Sequence, residues 1–249
     1  MVDTHCHLDA CEPPNDELVS RAREAGVNRL ATVGTDQGSV EHAVEAAKAH
    51  AEVFAIVGRH PHEAGSFDAR ERDQVYEWAH AGKVCAIGET GLDYYRDYAP
   101  RDRQREAFLA HIEIARELGL PLVIHTRAAE EDTYAILAER AEGLTVLMHC
   151  FSAPDRLEEC VERGWLCSFA GNVTYPKAVE LQDAAREVPA ELLLVETDAP
   201  YLSPQPVRGK RNEPGNVSLT ARFVAELRGV AYEDLERTVE ENSARVFGW

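Results

Sequence analysis

The sequence predicts an α/β protein, a single (β/α)8 barrel of the TIM type spanning residues 1–249, on three observations. Short β-branched or apolar runs alternate with amphipathic stretches along the whole chain. The runs are too apolar to be surface strands, which points to a parallel sheet covered by helices. There are eight of them, and eight strand–helix units close most simply into a barrel. A doubly wound open sheet is the alternative architecture.

The candidate strands are Val2–His7, Arg29–Val33, Val53–Gly58, Val84–Gly88, Leu122–His125, Thr145–His149, Leu166–Ala170 and Leu192–Glu196. Between them lie the helix-like segments Asn15–Ala25, Val40–Ala49, Asp68–His80, Arg103–Leu118, Glu131–Glu139, Asp155–Glu162 and Ala178–Glu187. Gly26, Gly82, Gly119, Gly143 and Gly164 follow five of these segments, where a left-handed residue commonly ends a helix. No low-complexity linker or composition break marks a second domain.

A chain of 249 residues can bury a large core and falls in the size range of α/β barrels. No window approaches the roughly 18 unbroken apolar residues of a membrane helix. The opening Met1-Val2-Asp3-Thr4-His5 has neither a basic n-region nor an apolar h-region. A cytoplasmic protein without membrane association or an obligate protein partner is expected. Six cysteines are scattered without CxxC spacing, so they read as small buried hydrophobes rather than disulfides or thiolate ligands. The formal charge is −18, and only four of the 26 basic residues are lysine. Such acidity repels nucleic acid at long range, yet bound metals and a local arginine cluster can invert the field at a site.

The residues able to bind metal fall where a barrel brings strand ends together. His5 and His7 end the first candidate strand, Glu89 follows the fourth, His125 ends the fifth, His149 ends the sixth, and Asp198 lies just past the eighth. In a (β/α)8 barrel those C-terminal ends share one rim, where active sites sit. Histidines at i and i+2 of a strand point to the same face, so His5 and His7 both enter the barrel mouth while Cys6 turns away. A lone histidine is ordinarily a satisfied core or surface residue; four with two acids at five strand ends are not explained that way. Four imidazoles and two carboxylates exceed the three or four protein ligands of one catalytic zinc, so two divalent metals are indicated. Glu89 and Asp198 are the candidates to bridge them. The mixed N/O set suits zinc, manganese, iron or, more weakly, magnesium.

Six motifs then carry a resemblance: Asp3-Thr4-His5-Cys6-His7-Leu8-Asp9, His60-Pro61-His62, Gly88-Glu89-Thr90-Gly91-Leu92-Asp93-Tyr94, Pro121-Leu122-Val123-Ile124-His125, His149-Cys150-Phe151-Ser152 and Glu196-Thr197-Asp198-Ala199-Pro200-Tyr201-Leu202. With Arg208-Gly209-Lys210-Arg211-Asn212-Glu213-Pro214 and the late Asn242, the chain resembles the TatD family of metal-dependent deoxyribonucleases over nearly its whole length. The resemblance implies that His5, His7 and Asp198 hold one metal and His125 and His149 the other, with Glu89 bridging. It implies a substrate-side role for His62. The plainer reading of His60-Pro61-His62 is a loop cap. Two departures stand out: Arg59, where the family usually carries a small or aliphatic residue, and His111, where glutamine is common.

The expected chemistry is hydrolysis of a phosphodiester in DNA, at single strands or ends, by a metal-activated water. Glu89, Asp198 and His62 form the expected catalytic set, Asp198 accepting the water proton or serving only as a ligand. His60, His62, Arg127, Arg208, Lys210 and Arg211 are the candidate substrate contacts, the last three as a basic loop against the phosphate backbone. Glu196 and Asp3, by strand parity with Asp198 and His5, should point inward and form supporting or core ion pairs. Tyr94, Tyr95, Phe151 and Tyr201 near the loops could stack unpaired bases or simply pack. Two further classes compete: a deacylase or amidohydrolase, for example on aminoacyl-tRNA, and a non-enzymatic metal-dependent interaction module. An open metal site at a barrel mouth argues against the last.

Overall fold

The computed structural model describes residues 1–249. Its strands β1 (Val2–Cys6), β2 (Arg29–Val33), β3 (Val53–Val57), β4 (Val84–Asp93), β5 (Leu122–Arg127), β6 (Val146–Met148), β7 (Leu166–Phe169) and β8 (Leu193–Val195) form one sheet in chain order. Every neighbouring pair is parallel. Just past β8 the sheet closes on β1, where Cys6 bridges Ala199 and the His7 N–H donates to the Ala199 carbonyl at 2.7 Å. This is the expected (β/α)8 barrel.

Nine helices surround it: α1 (Asn15–Glu24), α2 (Gln37–Ala49), α3 (Ala69–Ala79), α4 (Arg101–Leu118), α5 (Glu130–Arg140), α6 (Leu157–Arg163), α7 (Val179–Glu187), α8 (Val217–Arg228) and α9 (Tyr232–Phe247). Parallel strands need cover on both faces, which explains why β1, β6, β7 and β8 are buried at every position. The helices supply that cover through one apolar side each. In α4 the buried Phe108, Ile112 and Ala115 recur at helical spacing and face the sheet. Burying a side chain such as Phe108 contributes roughly 1.5–3 kcal/mol. Local signals set the starts: Asp36 and Ser39 form a reciprocal capping box at α2, and the Asp68 carboxylate accepts from the Glu71 N–H at α3.

Several boundaries differ from expectation. β4 runs through Glu89 to Asp93 instead of ending at Gly88, because Gly91 lets it lie tightly on β5. A Cβ at Gly91 would stand 2.0 Å from the His125 carbonyl oxygen, and its φ is +142°. β1, β6 and β8 stop one residue early, so His7, His149 and Glu196 open the loops. Of the five glycines expected to be left-handed, Gly82 is not; Lys83 takes that conformation at φ 67°, and its ammonium donates to the Ala47, His50 and Ala51 carbonyls at the end of α2.

The helices α8 and α9 carry no counterpart among the segments delimited from sequence. α9 packs on β1 and β8 and so covers the seam of the barrel. Asn242 fastens it by donating to the Ala190 and Leu193 carbonyls at 2.7 and 2.9 Å, which gives that late asparagine a structural purpose. No helix is long and apolar enough to cross a membrane. All six cysteines are free, with Cys11 and Cys150 half-buried and the others buried.

Candidate metal centre

The barrel brings His5, His7, Glu89, His125, His149 and Asp198 to one rim, with Glu89 at the middle. Its Oε2 lies 3.4 Å from His5 Nε2 and 3.8 Å from His7 Nε2. Its Oε1 lies 2.7 Å from His125 Nδ1 and 3.4 Å from His149 Nε2. His5 and His7 face each other through Nε2 at 3.3 Å, and Asp198 Oδ1 is 3.5 Å from His7 Nε2. One carboxylate thus divides the imidazoles into two sets, one per oxygen.

Three of the four far nitrogens face outer partners, while Nδ1 of His5 is buried without one. His7 Nδ1 donates to the Val33 carbonyl at 3.3 Å, leaving Nε2 with its lone pair toward the mouth. His149 Nδ1 meets Glu196 Oε1 at 2.8 Å, and His125 Nε2 meets Asp93 Oδ2 at 3.3 Å. Glu196, expected to need an inward partner, finds it in His149 and also accepts from the Cys150 N–H at 3.0 Å.

Two parity arguments need correction. β8 ends at Val195 and Asp198 has φ 54°, so strand alternation does not carry from Glu196 to Asp198. Asp198 is aimed instead by its own N–H, which donates to the His5 carbonyl at 2.9 Å. Asp3 forms no ion pair: it accepts from the Thr197 N–H and hydroxyl at 2.9 and 2.6 Å. Burial without a cation pushes its carboxyl up to about 8.

His60 and His62 join the same rim. His60 Nε2 lies 3.6 Å from Glu89 Oε1, so His60, Glu89 and His125 form a third cluster of donor atoms beside His5/His7/Glu89 and His5/His149/Glu196. Its Nδ1 accepts from the His62 N–H at 3.1 Å. Burial, with His125 nearby, holds the ring well below the ordinary histidine range. A neutral ring whose Nδ1 accepts carries its proton on Nε2, so His60 presents a donor to the mouth. This also accounts for the loop-cap reading, since His60 caps the turn at Pro61–Ser66.

Asp93 was quoted in a motif but given no role by sequence reasoning. Its Oδ2 accepts from His62 Nε2 at 2.8 Å as well as facing His125, and its Oδ1 accepts from the Tyr95 and Arg96 N–H groups. The missing signal was the length of β4, which decides that Asp93 sits at the rim.

The candidate substrate contacts scatter. Arg127 is exposed at the end of β5 with its guanidinium 4.1 Å from the Tyr95 ring centre. Arg208 lies 3.7 Å over Tyr175, while Arg211 bonds Glu12 and the Ala10 carbonyl at 2.9 and 2.8 Å. Lys210 is exposed. Asn212 is buried and ties the same loop down by donating to the Thr197 and Tyr201 carbonyls. Phe151 is buried against Phe169 and serves packing.

Charge at the carboxylates and the neutral ring of His5 match the donor chemistry. Burial opposes ionisation of Glu89, yet the facing His149 and His60 and the contacts from His125 and His5 hold its carboxyl well below the usual range. Asp198 is lowered in the same way, chiefly by His7 once burial is overcome. His5 is lowered by burial and by His149, so its imidazole stays neutral. Against burial, the neighbouring carboxylates raise His7 and His125, and His149 to about 10, so a divalent cation held by the three clusters, whose donor atoms lie within 4.8 Å of one another, would displace protons from these rings.

A parallel eight-stranded barrel with such a cluster at its C-terminal rim defines a metal-dependent hydrolase. The profile of TatD related DNases matches residues 2–248. The chain is 38% identical to an uncharacterized metal-dependent hydrolase, YabD, of Bacillus subtilis, covering 99% of this chain and 98% of the relative. It is 34% identical to a 3'-5' ssDNA/RNA exonuclease TatD of Shigella flexneri, covering 94% and 92%. Its fold is similar to the crystal structure of YJJV, a TatD homolog of Escherichia coli, with TM-score 0.93, 26% identity and coverage of 100% and 98%. The chain belongs to the TatD family of metal-dependent hydrolases.

Proposed function

We propose that this protein hydrolyses phosphodiester bonds in DNA, as a 3'-5' exonuclease acting on single strands or ends, with two divalent metals. The observation that carries the reading is Glu89, whose two oxygens each face a separate set of imidazoles. The nuclease relatives support the substrate class.

On this reading His5, His7 and Asp198 would hold one metal and His125 and His149 the other, with Glu89 placed to serve both. When bound, two such cations, zinc, manganese or magnesium among them, lower the pKa of water toward neutrality and offset charge on phosphoryl oxygens. The protein's own groups do the rest. Asp198, anchored to β1 through its backbone, accepts the proton of the attacking water. His149 and His125 keep their orientation through Glu196 and Asp93. His60 donates from Nε2 into the mouth, and His62, braced by Asp93, steadies the phosphoryl group or the leaving oxygen.

End-labelled single- and double-stranded DNA, assayed beside an ester panel with each of several metals, tests the reading. Shortening of the single strand from its 3' end, lost in Glu89→Ala at matched fold, is the expected result. Ester cleavage without DNA cleavage would overturn it in favour of a deacylase.

A further inference from the structure

All three exposed aromatic side chains of the protein lie at the barrel mouth: Tyr95 is 63% exposed, Tyr98 67% and Tyr201 56%, while the other exposed large hydrophobics are valines. Leaving a tyrosine ring in water forgoes the burial that packing would give it. Two of the three belong to the loop between β4 and α4, residues 94–100. The Tyr98 ring centre lies 4.8 Å from that of His62, so the ring borders the site itself.

Two guanidiniums flank these rings, Arg96 from the loop itself and Arg127 from the end of β5. Arg96 stands 5.8 Å from the Tyr95 ring centre and 6.0 Å from that of Tyr98, and Arg127 covers Tyr95 at 4.1 Å. The partners of these two guanidiniums are aromatic, whereas Arg101 is paired with Asp97 and Arg211 with Glu12. An arginine held over a ring keeps its donors free for phosphate. The loop is also built rather than loose. Asp93 Oδ1 pins its Tyr95 and Arg96 N–H groups, while Oδ2 of the same carboxylate holds His62.

Exposed rings interleaved with free guanidiniums are the elements that seat an unpaired polynucleotide strand. We propose that the β4–α4 loop is the strand-binding subsite. Tyr98 and Tyr95 stack successive bases, and Arg96 and Arg127 take the phosphates between them, delivering the next phosphodiester to His62 and Glu89. The inference rests on the phosphodiesterase reading above and adds to it a requirement for unpaired bases, because a duplex offers the rings no free base face.

The test compares wild type, Tyr95→Ala/Tyr98→Ala and Tyr95→Phe/Tyr98→Phe on a single-stranded oligodeoxythymidylate, on a blunt duplex and on bis(4-nitrophenyl) phosphate. Both rings are exposed, so folding is not at stake. The alanine pair should raise KM for the single strand by roughly tenfold per ring. The phenylalanine pair should retain wild-type KM, and the small diester, which reaches no further than the site, should lose far less than the single strand. An unchanged KM in the alanine pair overturns the inference while leaving the phosphodiesterase reading intact. Equal losses on the small diester or on the duplex also overturn it, since the rings would then shape the site or touch only backbone. Absence of hydrolysis of every phosphodiester by wild type removes both readings together.

Discussion

The backbone N–H of Arg59 donates to Nε2 of His111 across 3.0 Å, so the two departures from the family pattern are one contact. His111 Nδ1 donates in turn to the Ala107 carbonyl at 2.7 Å, which fixes a neutral ring in a single tautomer. The Arg59 side chain is buried and meets Glu71 of α3 at 3.0 Å. A glutamine at 111 offers the same acceptor and donor, which explains how the family residue and histidine can share the position.

Burial, with Arg59 nearby, lowers His111 to about 4, against roughly 6.5 in an unfolded chain. Between those values the unfolded chain binds a proton that the folded protein does not. Stability is therefore full above pH ~6.5 and declines as pH falls toward 4. His111→Gln should remove about 2 kcal/mol of the loss seen between pH 8 and pH 5 while changing little at pH 8. Urea midpoints at the two pH values check this; equal acid sensitivity in both proteins would refute it.

Asp93→Asn should disturb two histidines and a loop at once. The amide keeps the size but loses the charge that orients His62 and His125. Turnover should fall by about 10–100-fold, with KM for single-stranded DNA also raised. Weaker metal retention, read by elemental analysis after dialysis, should accompany the loss. An Asn variant with wild-type kcat and metal content would show that neither histidine depends on Asp93.

The basic loop behaves differently from a simple phosphate clamp, because Arg211 is engaged with Glu12 and the Ala10 carbonyl. Lys210→Ala should lower the salt dependence of DNA binding by about one unit of slope with no change in thermal midpoint. Arg211→Ala should instead lower the thermal midpoint and leave the slope nearly as it was. Equal slope changes for the two would restore the loop as a common phosphate contact.

Gly91→Ala places a methyl against the His125 carbonyl, where the backbone of β5 has no room to move. The expected result is a destabilisation of several kcal/mol or loss of soluble protein, far above the roughly 1 kcal/mol typical of point changes. Chemical denaturation checks it. A variant within 1 kcal/mol of wild type would mean that β4 and β5 can part without cost.

The ligand residues were legible because the barrel rule concerns strand order, which the hydrophobic runs reveal. Glu89, His125, His149 and Asp198 converge from strand order alone, and His5 and His7 need only the two-residue alternation of a strand besides. What escaped depends on backbone detail. Asp93 reaches the rim only because β4 continues past Gly88, and that continuation depends on Gly91 lying against β5. The parity relation between Glu196 and Asp198 failed at the left-handed Asp198, a conformation that sequence patterning does not encode. Asp3 found a threonine instead of a cation because its partner comes from the far end of the chain. Arg208 and Arg211 formed a basic cluster in sequence, but a linear run does not reveal the Glu12 that waits across the mouth.

The closure of β1 on the segment after β8 has a consequence for biosynthesis. His5 and His7 are made first, yet the backbone that positions Asp198 beside them exists only once residues 198 and 199 pair with β1. A nascent chain emerges at about 5–20 residues per second, so for roughly 2–10 seconds after His149 is made five of the six rim ligands sit on an open sheet with two unpaired edges. The final pairing spans almost two hundred residues, a long-range contact made late and at considerable entropic cost. On the ligand assignment proposed here, a cation taken up at that moment joins the oldest and the newest parts of the chain. The metal would then act as a clasp, and a ribosome stalled before Asp198 holds a protein that has all ten of its imidazoles and no finished pocket to put them in.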